Sequence, residues 1–201
     1  NFGVEGNVVA HQDRLYFVGW SANAIQRVFP QVLVYDAIDT RHRLVALPDD
    51  NFQLQQMYEH GGKLFLINHE ATSPSVFIYD LMYDQWSNVD FEDPRSGVMV
   101  TSSGNHIVFY GGVGDTNNSS TSINIYNTGT NIWVQYRSKV SAKYAVVHKG
   151  WLIFYGSIYG EATTHVDIFD IQSGTWSVHS LTSASNDYFT VIHGTKVAFL
   201  S

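Results

Sequence analysis

Apolar residues recur along the chain in short runs that return at a nearly constant interval. Five of these runs align on an aliphatic residue, and consecutive runs lie 49, 43, 45 and 45 residues apart. The aligned positions are Leu15, Leu64, Ile107, Leu152 and Val197. A period of about 20 to 50 residues is typical of proteins that repeat one supersecondary unit. We therefore expect a repeat protein.

Each repeat predicts a hairpin followed by a third strand. A second apolar run and a short turn precede four of the aligned runs, in the segments VVAHQD, MYEHGG, VVHKG and VIHGT. Short Gly-, Asp- and Asn-containing loops between β-prone runs favour antiparallel hairpins. The third segments read QVLVY, SVFIY, SINIY and HVDIF, and in each the second and fourth residues are Val or Ile. This period of two indicates strands and not helices.

A fourth strand follows the aromatic residue that closes the third. Seven residues after that aromatic stand Trp86, Trp133 and Trp176, with His42 at the equivalent place in the first repeat. Four antiparallel strands per repeat are typical of a propeller blade. We expect the three Trp side chains to be largely buried between blades. The predicted four-stranded sheets span 7–49, 54–91, 97–137 and 144–181, with a lone hairpin at 188–201.

These features together resemble the kelch repeat, which combines a hairpin, a Gly pair after its second strand, and an aromatic followed several residues later by Trp. Gly111 and Gly112 match the pair, while Gly19 and Gly156 match half of it. The resemblance implies an all-β, kelch-type β-propeller with four complete blades and half of a fifth, forming a single partial domain over residues 1–201. Propellers have about four to eight blades. We therefore expect the remaining blades, or another chain, to complete the ring near residues 196–201.

Composition excludes several functions. Eighteen acidic and 11 basic residues give a net charge of −7, and no basic run occurs, which argues against a nucleic-acid partner. No apolar stretch approaches the roughly 18 to 20 residues that cross a bilayer. The chain has no Cys. This excludes disulfides, thiolate zinc sites, a Cys nucleophile and the Cys-dependent copper radical oxidases that are built on a kelch-like propeller.

The nine histidines do not predict a metal site. Four of them occupy the same hairpin turn of different repeats, at His11, His60, His148 and His193. Equivalent turns of successive blades lie much farther apart than zinc ligands, which stand about 2.0 to 2.1 Å from the metal. We expect these side chains to be satisfied by backbone or water, and we predict no metal and no cofactor.

The recurring acidic and amide residues predict turn chemistry instead of catalysis. A polar residue follows the last aromatic of each third strand, where Asp or Asn caps a turn by bonding nearby amides. These residues are Asp36, Asp80, Asn127 and Asp170. The paired acids Glu92 and Asp93 fall between two repeats, where we expect them to solvate a connection.

One loop carries a modification motif. In the segment DTNNSST, both Asn117 and Asn118 begin an N-x-[ST] sequon. Together with few lysines and no Cys, the sequons favour an extracellular or secreted location over the cytoplasm, and they predict glycosylation at these two positions.

Recognition is expected in the long connections after the second strand of each repeat, at 21–30, 70–74, 113–121 and 157–164, because long loops on a rigid scaffold commonly bind partners. We call these four segments the recognition connections. Arg and exposed aromatic residues often anchor interfaces. The candidate binding residues in and beside them are Trp20, Asn23, Arg27, His69, Glu70, Asp115, Tyr159 and Glu161.

Two functions remain open from the sequence. The first is a binding or scaffold module that recognises a protein or glycan partner within a larger protein or assembly, without catalytic residues. The alternative is a propeller enzyme of the epimerase or lyase type that acts on a small sugar-like substrate at an axial pocket. Convergence of Arg, His and Glu side chains at the axis would distinguish the enzyme from the binding module.

Overall fold

The computed structural model describes residues 2–22, 28–49, 52–68, 75–114, 120–158, 161–185 and 188–200. All regular secondary structure in these ranges is β-strand, which confirms the all-β prediction. Within the same ranges, no helix has the length and apolarity needed to cross a membrane. The chain divides into two compact units, Asn1–Phe91 and Glu92–Ser201. The prediction of a single domain over residues 1–201 stays a prediction.

The first unit contains two antiparallel sheets, each with its four strands in chain order. The first sheet consists of β1 (Phe2–His11), β2 (Arg14–Ala22), β3 (Val28–Asp36) and β4 (Arg41–Ala46). The second sheet consists of β5 (Leu54–His60), β6 (Lys63–Asn68), β7 (Val76–Asp80) and β8 (Gln85–Val89). One core joins the two sheets, because Val18 and Val34 of the first sheet cluster with Met57, Leu66 and Phe77 of the second.

The second unit begins with a short pair, β9 (Arg95–Ser96) and β12 (Val113–Gly114), that flanks the third sheet. The third sheet is built from β10 (Met99–Ser103), β11 (His106–Tyr110), β13 (Ser122–Asn127) and β14 (Ile132–Arg137). The fourth is built from β15 (Ser141–His148), β16 (Trp151–Ile158), β17 (Glu161–Asp170) and β18 (Thr175–Ser185). A hairpin of β19 (Phe189–His193) and β20 (Lys196–Leu200) follows.

The prediction of several antiparallel four-stranded sheets is confirmed, and the arrangement is consistent with a β-propeller-like fold. Two sheets extend beyond their predicted bounds. β1 starts at Phe2 because its pairing with β2 continues past a bulge between Val4 and Val8. β18 reaches Ser185 because its pairing with β17 resumes at Thr163, beyond an irregularity between Thr163 and His165.

The repeating Trp residues form cross-strand aromatic pairs. Each Trp stands opposite the aromatic that closes the third strand, with ring centroids 4.7, 4.7 and 5.1 Å apart. The pairs are Tyr79 with Trp86, Tyr126 with Trp133, and Phe169 with Trp176. Each Trp is only partly buried, because it lies on the last strand of its sheet, where one side has no neighbouring strand. Trp176 also contacts Tyr136 of the third sheet at 5.4 Å, so this Trp does pack between sheets.

The turn that joins the third and fourth strands is built the same way four times. A side-chain oxygen at its first position accepts hydrogen bonds from two backbone N–H groups, at 2.9 to 3.2 Å. The acceptors and their donors are Asp36 with Ile38 and Asp39, Asp80 with Met82 and Tyr83, Asn127 with Gly129 and Thr130, and Asp170 with Gln172 and Ser173. The predicted turn role of these four residues is confirmed.

The same four side chains make a second contact that the sequence pattern did not predict. Each reaches the first residue of the second strand, which lies opposite in the register. The pairs are Arg14 with Asp36 at 3.1 Å, Lys63 with Asp80, His106 with Asn127 at 3.1 Å, and Trp151 with Asp170 at 3.3 Å. One position therefore ties the turn to the second strand whether its partner there is cationic or neutral. In the third sheet the direction is reversed, because Nδ2 of Asn127 donates and Nε2 of His106 accepts.

Candidate functional site

Most of the predicted binding residues lie outside the described residues. These are Asn23, Arg27, His69, Glu70, Asp115 and Tyr159, together with the sequon residues Asn117 and Asn118. Trp20 lies on β2, and its backbone pairs opposite Gly3 and Pro30. Glu161 is the exposed first residue of β17. The prediction that these eight residues form one binding surface therefore stays a prediction.

The described part of the chain instead shows a polar cluster beside the recognition connection 113–121. We call it the Asp93 cluster, and it consists of Asp93, Arg95, Ser120, Ser122 and Asn124. The hydroxyls of Ser120 and Ser122 both donate to Oδ2 of Asp93, each at 2.7 Å. These two serines lie 27 and 29 residues beyond Asp93 in the chain. The carboxylate thus joins the segment before β10 to the segment that starts β13.

Arg95 forms the buried part of this cluster. Its side chain has 0% exposure, and its Nη1 donates to the backbone carbonyl of Asp93 at 3.2 Å. With the amide of Asn124 oriented so that its oxygen faces the guanidinium, that oxygen accepts from Nη2 at 2.9 Å and from Nη1 at 3.3 Å. A buried cation needs such partners, because an unpaired charge in the protein interior costs several kcal/mol, on the order of 3 to 5.

The Gly pair at the end of β11 provides the space for the cluster. Gly112 has φ +88°, and a Cβ placed on it would lie 2.6 Å from the Ser96 carbonyl oxygen and 3.2 Å from Cγ of Arg95. Both the backbone conformation and the space require glycine here. The glycine that matched the kelch pattern therefore allows the Arg95 side chain to pack against the chain.

The opposite charges of Asp93 and Arg95 each favour the charged form of the other group. Burial works to raise the pKa of Asp93, but the hydrogen bonds from Ser120 and Ser122 and the charges of Arg95 and Arg137 outweigh it and lower that pKa. Burial lowers the pKa of Arg95 to about 10; Asp93 opposes this shift and Arg137 adds to it. Both groups are consequently charged at neutral pH.

Both described flanks of the 113–121 connection attach to the segment that contains Asp93 and Arg95. On the first flank, β12 pairs with β9, with Gly114 opposite Arg95. On the second flank, the Ser120 hydroxyl donates to Asp93 at 2.7 Å, and the Ser120 backbone N–H donates to the Gly112 carbonyl at 2.9 Å. The connection therefore starts and ends at adjacent points beside the Asp93 cluster.

The interpretation of Asp93 as a loop-solvating acid is wrong. Its side chain is 31% exposed, and the carboxylate is taken up by two serine hydroxyls. A sequence signal for the Asp93 cluster does exist outside the repeat pattern. Two serines alternate at 120 and 122 at the start of a strand, with their side chains on one face, and the acid precedes Pro94 and Arg95.

The turn histidines differ from one another. His11 pairs with Glu59 of the second sheet, with Nδ1 and Oε1 3.1 Å apart, so a carboxylate satisfies it instead of backbone or water. The Nε2 atoms of His60 and His148 are buried and have no protein hydrogen-bond partner among the described residues. His193 is exposed. In the described ranges, no three His, Asp or Glu side chains group as they would around a metal ion.

Comparison with known proteins gives the fold and nothing narrower. No family model matches the chain, and no curated protein matches it. Among solved structures, the chain is similar to one titled "Structure of YjhT", with a TM-score of 0.50 and 14% sequence identity. The similarity covers 96% of this chain and 75% of that one. At this identity the likeness supports an all-β fold of repeated four-stranded sheets and says nothing about activity.

Proposed function

We propose that this chain is a kelch-type β-propeller module that binds a protein or glycan partner through its recognition connections. The observation that carries the proposal is the division of polar residues between the two ends of each sheet. At one end, the recurring polar residues are committed to turn geometry. At the other end, a charged cluster supports one of the recognition connections.

Connectivity gives each antiparallel sheet two different ends. The turns between strands one and two, and between strands three and four, lie at one end, while the connection between strands two and three lies at the other. Asp36, Asp80, Asn127 and Asp170 each bond two turn amides at the first end and are therefore occupied by local structure. This leaves the opposite end for recognition.

The Asp93 cluster adds a second support for this assignment. Binding loops work best when a rigid scaffold fixes the points from which they project. Serine hydroxyls, a buried guanidinium and a short strand pair together fix both described flanks of the 113–121 connection.

A binding screen tests the proposal. The full chain is presented to an array of defined oligosaccharides and to a phage-displayed random peptide library. We expect it to enrich one ligand class. A Trp20→Ala, Arg27→Ala, Tyr159→Ala variant should bind that ligand about tenfold or more weakly, since anchor residues of these types dominate interface energies.

The matched control removes exposed apolar side chains from the opposite end of the sheets. Ile38 and Met82, 73% and 82% exposed, lie in the turns between third and fourth strands, and an Ile38→Ser, Met82→Ser variant should bind normally. The proposal fails if this control variant loses binding as strongly, or if neither library yields a ligand. Turnover of a bound sugar would favour the epimerase or lyase alternative instead.

A further inference from the structure

We propose that Asp93 is a positioning residue for recognition, because its hydrogen bonds fix the point at which the 113–121 connection rejoins the third sheet, and Ser120 links that point to Gly112 on the other flank. This inference rests on the proposed function, since that connection is one of the four recognition connections. Asp93 is the side chain that sets the geometry of this connection. Substitutions at Asp93 should therefore alter binding without unfolding the third sheet.

The side-chain hydrogen bonds of Asp93 go to the second flank of the connection, at Ser120 and Ser122, and not to the interior of the sheet. Ser120 precedes β13 and Ser122 is its first residue, whereas the ladder of the third sheet continues from Ser122 to Asn127 through its own backbone pairs with β14. Removing the Asp93 carboxylate leaves those backbone pairs in place. Its loss should therefore loosen the flanks first.

Ser120 links the two flanks to each other and also bonds Asp93. Its hydroxyl donates to Asp93, its backbone N–H donates to the Gly112 carbonyl, and its Oγ accepts from the backbone N–H of Ser122 at 3.0 Å. Gly112 in turn precedes β12, which pairs with the segment just after Asp93. One carboxylate thus stands at the centre of a closed ring of hydrogen bonds and strand pairing around the connection.

The fourth sheet offers a matched carboxylate that holds a different segment. Oδ2 of Asp167 accepts from the Ser138 hydroxyl at 2.6 Å and from the Lys139 backbone N–H at 2.5 Å. Both donors lie in the link between the third and fourth sheets, before β15. Asp167 is 2% exposed. It therefore has the same chemistry and deeper burial, but among the described residues its own bonds go to Ser138 and Lys139, and only the Ser138 N–H continues to the connection, at the Thr121 carbonyl.

Amide hydrogen exchange on the full chain tests the inference without any ligand. In Asp93→Ala, the amides of Ser120 and Ser122 should exchange about tenfold faster or more, while those of Ile125 and Phe154 stay within about twofold of wild type. Asp93→Asn keeps an acceptor oxygen in place and should restore part of the protection. In Asp167→Asn the acceleration should fall at 138–140 and spare Ser120 and Ser122.

A second variant keeps the test decisive if Asp93→Ala does not fold. Ser120→Ala, Ser122→Ala removes both hydrogen bonds to Asp93, together with the bond from the 122 amide to Ser120 Oγ, and leaves Asp93 beside Arg95. The readout is therefore the amide at position 120, whose bond to the Gly112 carbonyl needs neither hydroxyl and which should show the same acceleration as in Asp93→Ala. Unchanged exchange at position 120 in this variant would overturn the inference. Uniform acceleration across the third sheet would also overturn it, because that result indicates a general structural role.

Binding then separates this inference from the proposed function. Any oligosaccharide or peptide selected by the wild-type chain should bind Asp93→Asn more weakly at a temperature at which the variant is fully folded. If the screen yields no ligand, the proposed function fails while the exchange result still decides the role of Asp93. If a ligand binds Asp93→Asn and Asp93→Ala as tightly as wild type, the positioning role is wrong although the binding module remains.

Discussion

The second and third sheets place very different side chains at the same point of the repeat. Twelve residues before the aligned aliphatic residue stand Phe52 in one and Arg95 in the other, and the centre of the third strand carries Phe77 in one and Asn124 in the other. Phe52 and Phe77 meet edge to face with centroids 5.0 Å apart. Arg95 and Asn124 meet through two hydrogen bonds at 2.9 and 3.3 Å.

This difference shows that the repeat determines where a buried pair of side chains lies. It does not determine whether that pair is apolar or polar. An aromatic pair is held by apolar burial and needs no further partner. A buried guanidinium needs several acceptors, and it obtains them from Asp93 and Asn124, which connects it to the neighbouring 113–121 segment. The Phe52–Phe77 pair stabilises its own sheet. The Arg95–Asn124 pair also connects its sheet to the 113–121 recognition connection.

Removing the aromatic pair should have the largest effect. Phe77 is 2% exposed and contacts both Phe52 and Trp86. Phe77→Ala should lower the free energy of unfolding by about 3 to 5 kcal/mol through lost burial and the cavity left behind. Urea denaturation of the full chain measures it. A loss below about 1 kcal/mol, the range of ordinary surface changes, would contradict this packing.

Gly111, the first residue of the Gly pair, should have the next largest effect. Gly111 has φ +66°, and a Cβ there would lie 2.6 Å from the Ala142 carbonyl oxygen. Gly111→Ala should cost about 1 to 2 kcal/mol for the left-handed backbone and about 1 to 3 kcal/mol more for overpacking.

Gly150→Ala is the matched control for this substitution. Gly150 has φ +82° but no neighbouring atom within 4 Å of an added Cβ, so only the conformational cost should appear. Thermal denaturation of both variants compares them. Equal midpoints would show that Gly111 is needed only for its backbone angle and not for the close approach to Ala142.

Removing the acceptor of Arg95 should have a moderate effect. Asn124→Leu deletes hydrogen bonds to a buried cation, which are worth about 1.5 to 3 kcal/mol. An Arg95→Leu, Asn124→Leu double variant should recover part of this loss, because replacing both polar partners removes the unsatisfied charge. A double-mutant cycle by urea denaturation tests it. Additive losses in the double variant would show that the two side chains do not interact.

The smallest expected effect is the pH dependence of stability that comes from the turn between the third and fourth strands. This turn carries Asp80 in the second sheet and Asn127 in the third. Burial works to raise the pKa of Asp80, but hydrogen bonds from Lys63, Tyr83 and Met82 outweigh it and lower the pKa below the ordinary value. A carboxyl with a lowered folded-state pKa stabilises the fold above its unfolded pKa of about 4, and this stabilisation is lost as the pH falls through the folded value. Asn127, at the same position of the third sheet, does not titrate.

The measurement is the stability difference between wild type and Asp80→Asn. It should amount to less than about 1 kcal/mol at pH 7, because the ion pair with Lys63 is near the surface. The difference should shrink further as the pH falls below about 4. A difference that grows on acidification would have the wrong sign and would contradict the lowered pKa of Asp80.

Much of the fold could be predicted from local pattern. The alternation in SVFIY and SINIY predicts strands, and the Asp or Asn after the aromatic predicts its turn, because strand periodicity and turn chemistry act over a few residues. The pairing of Tyr79 with Trp86 also follows from a spacing within one hairpin. These features need no knowledge of the rest of the chain.

The candidate site could not be predicted in this way. Most of the residues chosen for it lie outside the described ranges, so the structure does not test them. The Asp93 cluster was missed because Asp93 and Ser120 look like ordinary loop residues in sequence, and their meeting depends on how β9 and β12 come together.

The sequence by itself thus determined the strands, their order within each hairpin and the four side-chain acceptors of the turns. Only the tertiary structure decided that Asp93 is bonded and not solvated, that His11 reaches Glu59, and that Arg43 reaches Tyr79 at 3.0 Å. The physical reason is distance along the chain. Contacts between residues 27 to 48 positions apart depend on the packing of whole sheets, whereas periodicity and turn preference depend on neighbours.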